Sequence, residues 1–255
     1  MVLVTVCMSD VRTAVLRAAR DFSCSRWLRF ELSDERPLSF RGGQYVIVDT
    51  GLTLPDGRIR KRAYSMLSPD SDSQAFELGV FRLAGGEGSE LLNQLSEGDE
   101  LRFTAPWGKL HVPDDLSART GPVWLIATDS GMSAGLGLLR GAALAPHLSR
   151  VQLWHFRTHA DAFLSELFLH EQLGALADLC AEPLASVHAP LRSLELQHWL
   201  DARLSKAAEL PAQVYVIGDG LLARQASAQL TAAGVPEAQI QIESFFNHEK
   251  TTKLA

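Results

Sequence analysis

The strongest constraint on what this chain can fold into is a change of rhythm near residue 115. Before it come short segments, about Thr13–Ala19, Trp27–Leu32, Tyr45–Val48, Arg60–Met66, Phe76–Phe81 and Glu100–Thr104. Turn signals such as Gly42-Gly43, Pro55-Asp56-Gly57 and Gly98-Asp99 separate them, so they read as strands. With one short helix, about Ser89–Leu95, this half predicts an antiparallel β-barrel. After Asp114-Asp115 the pattern alternates. Val123–Ala127 is a continuous apolar run, as expected of a strand covered on both faces. A glycine-rich turn and an apolar helix to about Ala143 follow. Then come strands at Val151–Trp154, Pro183–Val187, Val214–Ile217 and Gln239–Phe245, with helices at Ala162–Leu173, Leu194–Ala202 and Leu221–Ala233. Alternation of this kind predicts a parallel sheet with helices on both sides. The expected division is residues 1–116 and 117–255, through the linker-like stretch 112–121.

Composition narrows the class. The 255 residues are 46% hydrophobic and 21% charged, values of a globular protein. No run approaches the eighteen or so apolar residues of a membrane helix. The apolar start, Met1–Cys7, has no basic leader or cleavage site and reads as a strand or a disordered beginning. A cytoplasmic protein without membrane contact is expected. Net charge −6 argues against a nucleic-acid partner. Cys7, Cys24 and Cys180 show no iron–sulfur spacing, and the eight histidines show no metal-ligand spacing, so no metal site is expected.

Two motifs carry chemistry. Arg62-Ala63-Tyr64-Ser65-Met66-Leu67-Ser68 puts a cation, an aromatic ring and hydroxyls on an extended run. In a strand Arg62 and Tyr64 share one face, and Ala63 and Ser65 the other. Gly86-Glu87-Gly88-Ser89 puts a glycine turn and a hydroxyl at a helix start, an arrangement suited to an anion. Together they suit a ligand with a flat ring at one end and a diphosphate at the other, such as a flavin dinucleotide. Taken singly, Ser89 reads as an ordinary helix N-cap and Arg62–Ser65 as a barrel strand with a surface arginine. Arg58, Arg60 and Lys61, beside the motif, read either as a surface that steers an acidic partner or as a solvated loop.

Here the chain resembles the ferredoxin–NADP reductase superfamily over nearly its whole length. Phe40–Val46 looks like the family's Phe-x-x-Gly-Gln-Tyr strand, Arg62–Ser68 matches its Arg-x-Tyr-Ser-x-x-Ser signature, and Gly86–Ser89 matches its diphosphate turn. Gly98–Leu101 and Ala105–Gly108 resemble the segments that close the barrel. The wording of Arg62–Met66 and of Ile242–Phe246 is most similar to bacterial ferredoxin or flavodoxin reductases. The resemblance implies FAD, with Arg62 on the diphosphate, Tyr64 stacked on the isoalloxazine and Ser65 near N5. Ala63, Gly86, Gly88 and Ser89 belong to the same cofactor site. It further implies hydride transfer from NADPH or NADH to the flavin, and single-electron delivery to ferredoxin, flavodoxin or another small carrier. A monomer is expected. Reductase components of oxygenases, and flavin or ferric reductases, share the architecture and stay open as alternatives.

The second half departs from the family pattern. Ala127–Gly135 follows a buried strand, where an open α/β sheet binds nucleotides. It has Asp129 where a glycine is usual and Ala134 where a proline is usual, while Gly131 is kept. Val214–Gly220 resembles the Tyr-x-Cys-Gly-Pro segment with Ile217 in place of the cysteine. Thr128, Ser130, Gly131 and Gly218 are the candidate nucleotide contacts. Arg157 matches an arginine that meets the adenosine end or, alternatively, is a solvated residue at a helix start. The region expected to hold a 2′-phosphate reads Val187–Pro190, with Arg192 as the nearest cation. Glu243 and Phe246 match a glutamate and an aromatic near the flavin, with Phe245 as the alternative aromatic. Both phenylalanines read equally as seam packing. A flavin-binding regulatory module with a decayed nicotinamide site is the alternative that Asp129, Ala134 and Ile217 motivate, beside the reading as an enzyme.

Overall fold

The computed structural model describes residues 10–82, 87–158, 163–174, 179–185, 189 and 191–246; at 87, 88, 179, 181 and 246 it describes the backbone alone. The expected start at Met1–Cys7, Gly86, Val187, His188 and Pro190 lie outside the described residues.

Six antiparallel strands form the first half. They are β1 (Arg12–Asp21), β2 (Ser25–Leu32), β3 (Tyr45–Thr53), β4 (Ile59–Ser65), β5 (Ala75–Phe81) and β6 (Glu100–Trp107), in the order β4-β3-β6-β1-β2-β5. Alternate residues such as Leu16, Leu28, Val46, Val48 and Leu78 are fully buried, as a half-solvated antiparallel sheet requires. Phe76 stacks on Phe30 and leans on Phe103, with ring centroids 5.4 and 4.9 Å apart. The sheet curls until the end of β4 meets β5 at the Met66–Leu78 bridge and a hydrogen bond from Leu67 N to the Glu77 carbonyl (2.9 Å). Among the described residues β4 and β5 themselves form no ladder. Helix α1 (Glu87–Gln94) packs against both of them.

The second half is a five-stranded parallel sheet, β7 (Val123–Thr128), β8 (Val151–Arg157), β9 (Leu179–Pro183), β10 (Gln213–Asp219) and β11 (Ile240–Phe246), in the order β11-β10-β7-β8-β9. Side chains alternate between two cores. Leu125, Leu153, Tyr215 and Ile217 face helices α2 (Met132–Arg140) and α3 (Glu166–Leu173). Ile126, Trp154, Phe156 and Val216 face α4 (Arg192–Lys206) and α5 (Gly220–Ala232). This two-sided burial is why the strands read as unbroken apolar runs. One expectation is corrected: the third parallel strand ends at Pro183 instead of beginning there. Proline offers no N–H to a ladder, so the last strand position of an edge strand suits it and a strand interior does not.

The two halves meet through a close-packed seam. Gly42 rests against the backbone of Gly137 in α2, and Gly137 rests against the Met66 carbonyl. Arg140 donates to the Leu67 carbonyl (3.0 Å) and to Glu77 (2.8 Å). Asp70 accepts from the amides of Gly42 (3.1 Å) and Ala142 (2.9 Å). Phe163 and Phe168 carry the apolar contact onto Phe81, Phe22 and Trp27. No helix among the described residues is long and apolar enough to cross a membrane.

Candidate functional site

The slot between β4 and β5 brings the first motif together. Arg62 lies opposite Val48 and Tyr64 opposite Val46 in the β3–β4 ladder, so both sit on the barrel-side face, with Tyr64 packed on the barrel core. Val46 and Val48 are sealed inside the barrel, but β4 has no strand on its other edge, and Arg62 reaches solvent. The hydrogen bond from its guanidinium to the Lys61 carbonyl (3.0 Å) leaves most of its five donors for an anion. Burial pushes the Tyr64 hydroxyl up to about 12, against the opposing pull of Arg62, so the ring is a neutral platform at any physiological pH. Ser89 lies within α1 and is half-buried, and the backbone at Glu87 and Gly88 opens that helix beside β4 and β5. A cation, an aromatic face and a helix N-terminus on one slot fit the diphosphate and ring of FAD.

Ser65 and Ala63 take the opposite face. Ser65, which is buried, lies across from Tyr45, whose ring covers Gly108. Burial raises the Tyr45 hydroxyl, with the charge of Glu243 in β11 as a second cause, and burial raises Glu243 itself. Strand β11 reaches the barrel half where Gln241 accepts from His111 N (3.3 Å). Gln44 fixes the approach: its carbonyl accepts from Met66 N (3.0 Å), and its side chain spans Arg41 N (2.8 Å) and Gly108 O (3.3 Å). Of the two candidate aromatics, Phe245 packs in the seam core, and the side chain of Phe246 lies outside the described residues.

The second cluster lies where the strand order reverses, between β7 and β10, at their carboxyl ends. Open α/β sheets bind nucleotides at this position. Gly218 (φ 125°) presses on Thr128, and Gly131 on the Ile217 carbonyl, so side chains are excluded at both. Thr128 is buried, its hydroxyl oxygen accepting from Asp219 N (2.8 Å), while Ser130 is half-exposed. Asp129 adopts φ 49° and is buried. Its carboxylate pairs with Arg192, which also donates to Asp219 (3.3 Å) and to the Ala185 carbonyl (2.7 Å). Arg192, expected near a 2′-phosphate, is thus committed inside the protein. Arg157 is likewise buried, with a 2.7 Å ion pair to Glu166, because its strand end is covered by α3. The sequence signal for this cluster was the unusual Asp129. Its partners, sixty-three and ninety residues on, had no local signature.

Residues 15–112 match the family model described as the oxidoreductase FAD-binding domain. The chain is 35% identical over 152 residues to ferredoxin–NADP reductase B of Sorangium cellulosum, covering 60% of this chain and 58% of that one. It is 32% identical over 183 residues to the reductase subunit of an aromatic O-demethylase from Amycolatopsis, covering 70% and 50%. The chain therefore spans little more than half the length of these relatives. Among solved structures, Amycolatopsis cytochrome P450 reductase GcoB superposes with TM-score 0.71 at 24% identity, covering 93% of this chain and 71% of that one. Phthalate dioxygenase reductase superposes with TM-score 0.69 at 17% identity, covering 92% and 68%. The barrel and the parallel sheet thus agree with the solved structures, residues 15–112 carry an oxidoreductase FAD-binding domain, and the chain is similar to members of the ferredoxin–NADP reductase superfamily.

Proposed function

We propose that the protein is an FAD-dependent oxidoreductase that passes electrons between NADPH or NADH and a separate one-electron carrier. Residues 1–116 hold the flavin and residues 117–255 receive the nucleotide. The observation that carries this reading is that Arg62 and Tyr64 share one face of β4, with the start of α1 packed against β4 and β5 and Ser65 on the same strand. Bound FAD supplies the chemistry, accepting two electrons at once and releasing them singly. The chain's own part is to hold the diphosphate on Arg62, to offer the ring the face of Tyr64, and to set Ser65 at the approach to N5. No general acid or base is required for hydride transfer, so the task is positioning. The carrier is a ferredoxin, a flavodoxin or the iron–sulfur component of an oxygenase.

The purified protein should be yellow, or should become so with FAD. It should then bleach anaerobically at millimolar NADH or NADPH and pass electrons to a one-electron acceptor. A preparation that cannot be reconstituted with FAD refutes the reading, as does a flavin that neither nucleotide reduces at any concentration.

A further inference from the structure

We infer that Asp129, Arg192 and Asp219 form an internal latch that closes the switch-point crevice against the diphosphate of a pyridine nucleotide. The latch thereby sets how strongly the flavin's donor is bound. The inference rests on the proposed route of reduction through this half of the molecule.

The cluster sits where a dinucleotide has to lie. Asp129 follows the last residue of β7, Asp219 ends β10, and Arg192 opens α4. All three are buried. A phosphate at this crevice would need two things, a cation and the N-terminal amides of a helix. The cation and the first amides of α5 are already taken. Arg192 donates through Nη2 to Asp129, through Nε to Asp219 and through Nη1 to the Ala185 carbonyl. The first amides of α5, at Leu221 and Leu222, are capped by the other oxygen of Asp219 at 2.9 and 3.4 Å. The second arginine of the region, Arg157, is held by Glu166. Arg192 is shared between two carboxylates. A diphosphate entering here would have to take Arg192 away from both partners and then lie beside the carboxylates it had unpaired.

Asp129 is the member that can be removed most cleanly. Its left-handed backbone is one that glycine adopts without strain. Its carbonyl, which accepts from buried His155 Nε2 at 2.9 Å, does not depend on the side chain. Without its carboxylate, Arg192 keeps Asp219 and the Ala185 carbonyl as partners and has one donor arm released.

The test is calorimetric binding of adenosine diphosphate ribose to the FAD-loaded wild type, Asp129→Gly and Asp129→Asn, which requires no turnover. Alongside it, the nucleotide concentration for half-maximal flavin reduction is measured. Weak binding is expected for wild type and at least tenfold tighter binding for Asp129→Gly. The half-saturating NADH or NADPH concentration should fall by a similar factor, with little change in the saturated rate. Asp129→Asn, which keeps the size and loses the charge, should lie between. Low-micromolar binding by wild type overturns the latch, as does unchanged affinity in both variants. If Asp129→Gly does not fold, Asp129→Asn alone decides by the same criterion. A protein that retains no FAD would sink the proposed function, whereas a flavin-loaded wild type that binds nucleotide tightly would sink the latch alone.

Discussion

Gly137 is the position where helix propensity and packing give opposite answers. It lies in the interior of α2, where replacing glycine by alanine ordinarily stabilises a helix by about 1 kcal/mol. In this fold a Cβ at Gly137 would overlap the Met66 carbonyl oxygen, with the Gly43 nitrogen 3.1 Å away. Both neighbours are backbone and have no rotamer with which to yield. Gly42 leans on the same turn of the helix from the other side. Relief therefore requires α2 to withdraw from the barrel by about 1 Å, the scale of the overlap relative to ordinary van der Waals separation. Overpacking of this kind costs roughly 1–3 kcal/mol and exceeds the propensity gain when backbone has to move. The expected net loss for Gly137→Ala is about 1–2 kcal/mol, or roughly 3–6 °C in Tm for a chain of this size. Gly135→Ala is the internal control. It lies on the same helix, but its Cβ would meet the end of the Leu125 side chain at 3.1 Å, a contact that a rotamer adjustment relieves. Thermal and urea unfolding of the FAD-loaded proteins should show Gly135→Ala near wild type and Gly137→Ala clearly below it. Equal stability of the two variants, or a gain in Gly137→Ala, would refute the close approach.

Arg62→Ala should lose FAD on gel filtration at least tenfold more readily than wild type, while Arg157→Ala, which breaks a buried ion pair with Glu166, should keep its flavin and lose stability; equal flavin retention counts against both assignments. Arg140→Met removes charged hydrogen bonds to the Leu67 carbonyl and to Glu77, which keeps Arg29 and Trp27. A loss of about 3 kcal/mol is expected in urea unfolding, and a loss under about 0.5 kcal/mol would contradict the tie. Burial pushes His155 down to about 4, so the folded state stays neutral while the unfolded chain takes up a proton below about pH 6.5. Stability from this source is complete above that pH and is lost as the pH falls toward 4, about 3 kcal/mol in all. Urea unfolding of wild type and His155→Gln at about pH 6.5 and 4.5 should show the smaller pH effect in the variant, and identical pH dependence would exclude His155 as the cause.

What was legible in the sequence was whatever has a short period or a local signature. Barrel strands and parallel strands announce themselves by alternation or by unbroken apolar runs, and the slot motif by side chains two residues apart on one strand. Ser165 caps α3 and Asp219 caps α5, each through its own side chain, so those helix starts are local events. The switch-point cluster was half legible. Asp129 stood out as an aspartate where the chain turns at positive φ, but its partners come from α4 and β10, and no spacing rule links residues 129, 192 and 219. Gly42 and Gly43 read as turn punctuation. Gly43 does take positive φ, but Gly42 is needed because a helix from the other half rests on it. Arg157 read as a free cation because its partner, nine residues on, follows a loop whose path the sequence does not specify.

These contacts also decide how the crevice can open. Rotation of the two halves about the seam would unpair Asp70 from the Ala142 amide and Arg140 from the Leu67 carbonyl and Glu77, and would part the Gly42–Gly137 backbone contact. Several charged hydrogen bonds would be lost together, at about 1.5–3 kcal/mol each, before any gain from a nucleotide. The latch lies at the parallel sheet's switch point, and its cation is Arg192, the first residue of α4. Its release breaks two ion pairs and one hydrogen bond to a carbonyl and leaves the seam untouched. Movement at the start of α4 therefore breaks no contact between the halves, whereas rotation of the halves would shift β11 against the barrel, where Gln241 accepts from His111 N. Admission of the donor and alignment at the flavin are then controlled by different parts of the molecule. A substitution at Arg192 or Asp129 should alter affinity, and one at Gly137 or Arg140 should alter the rate at saturation.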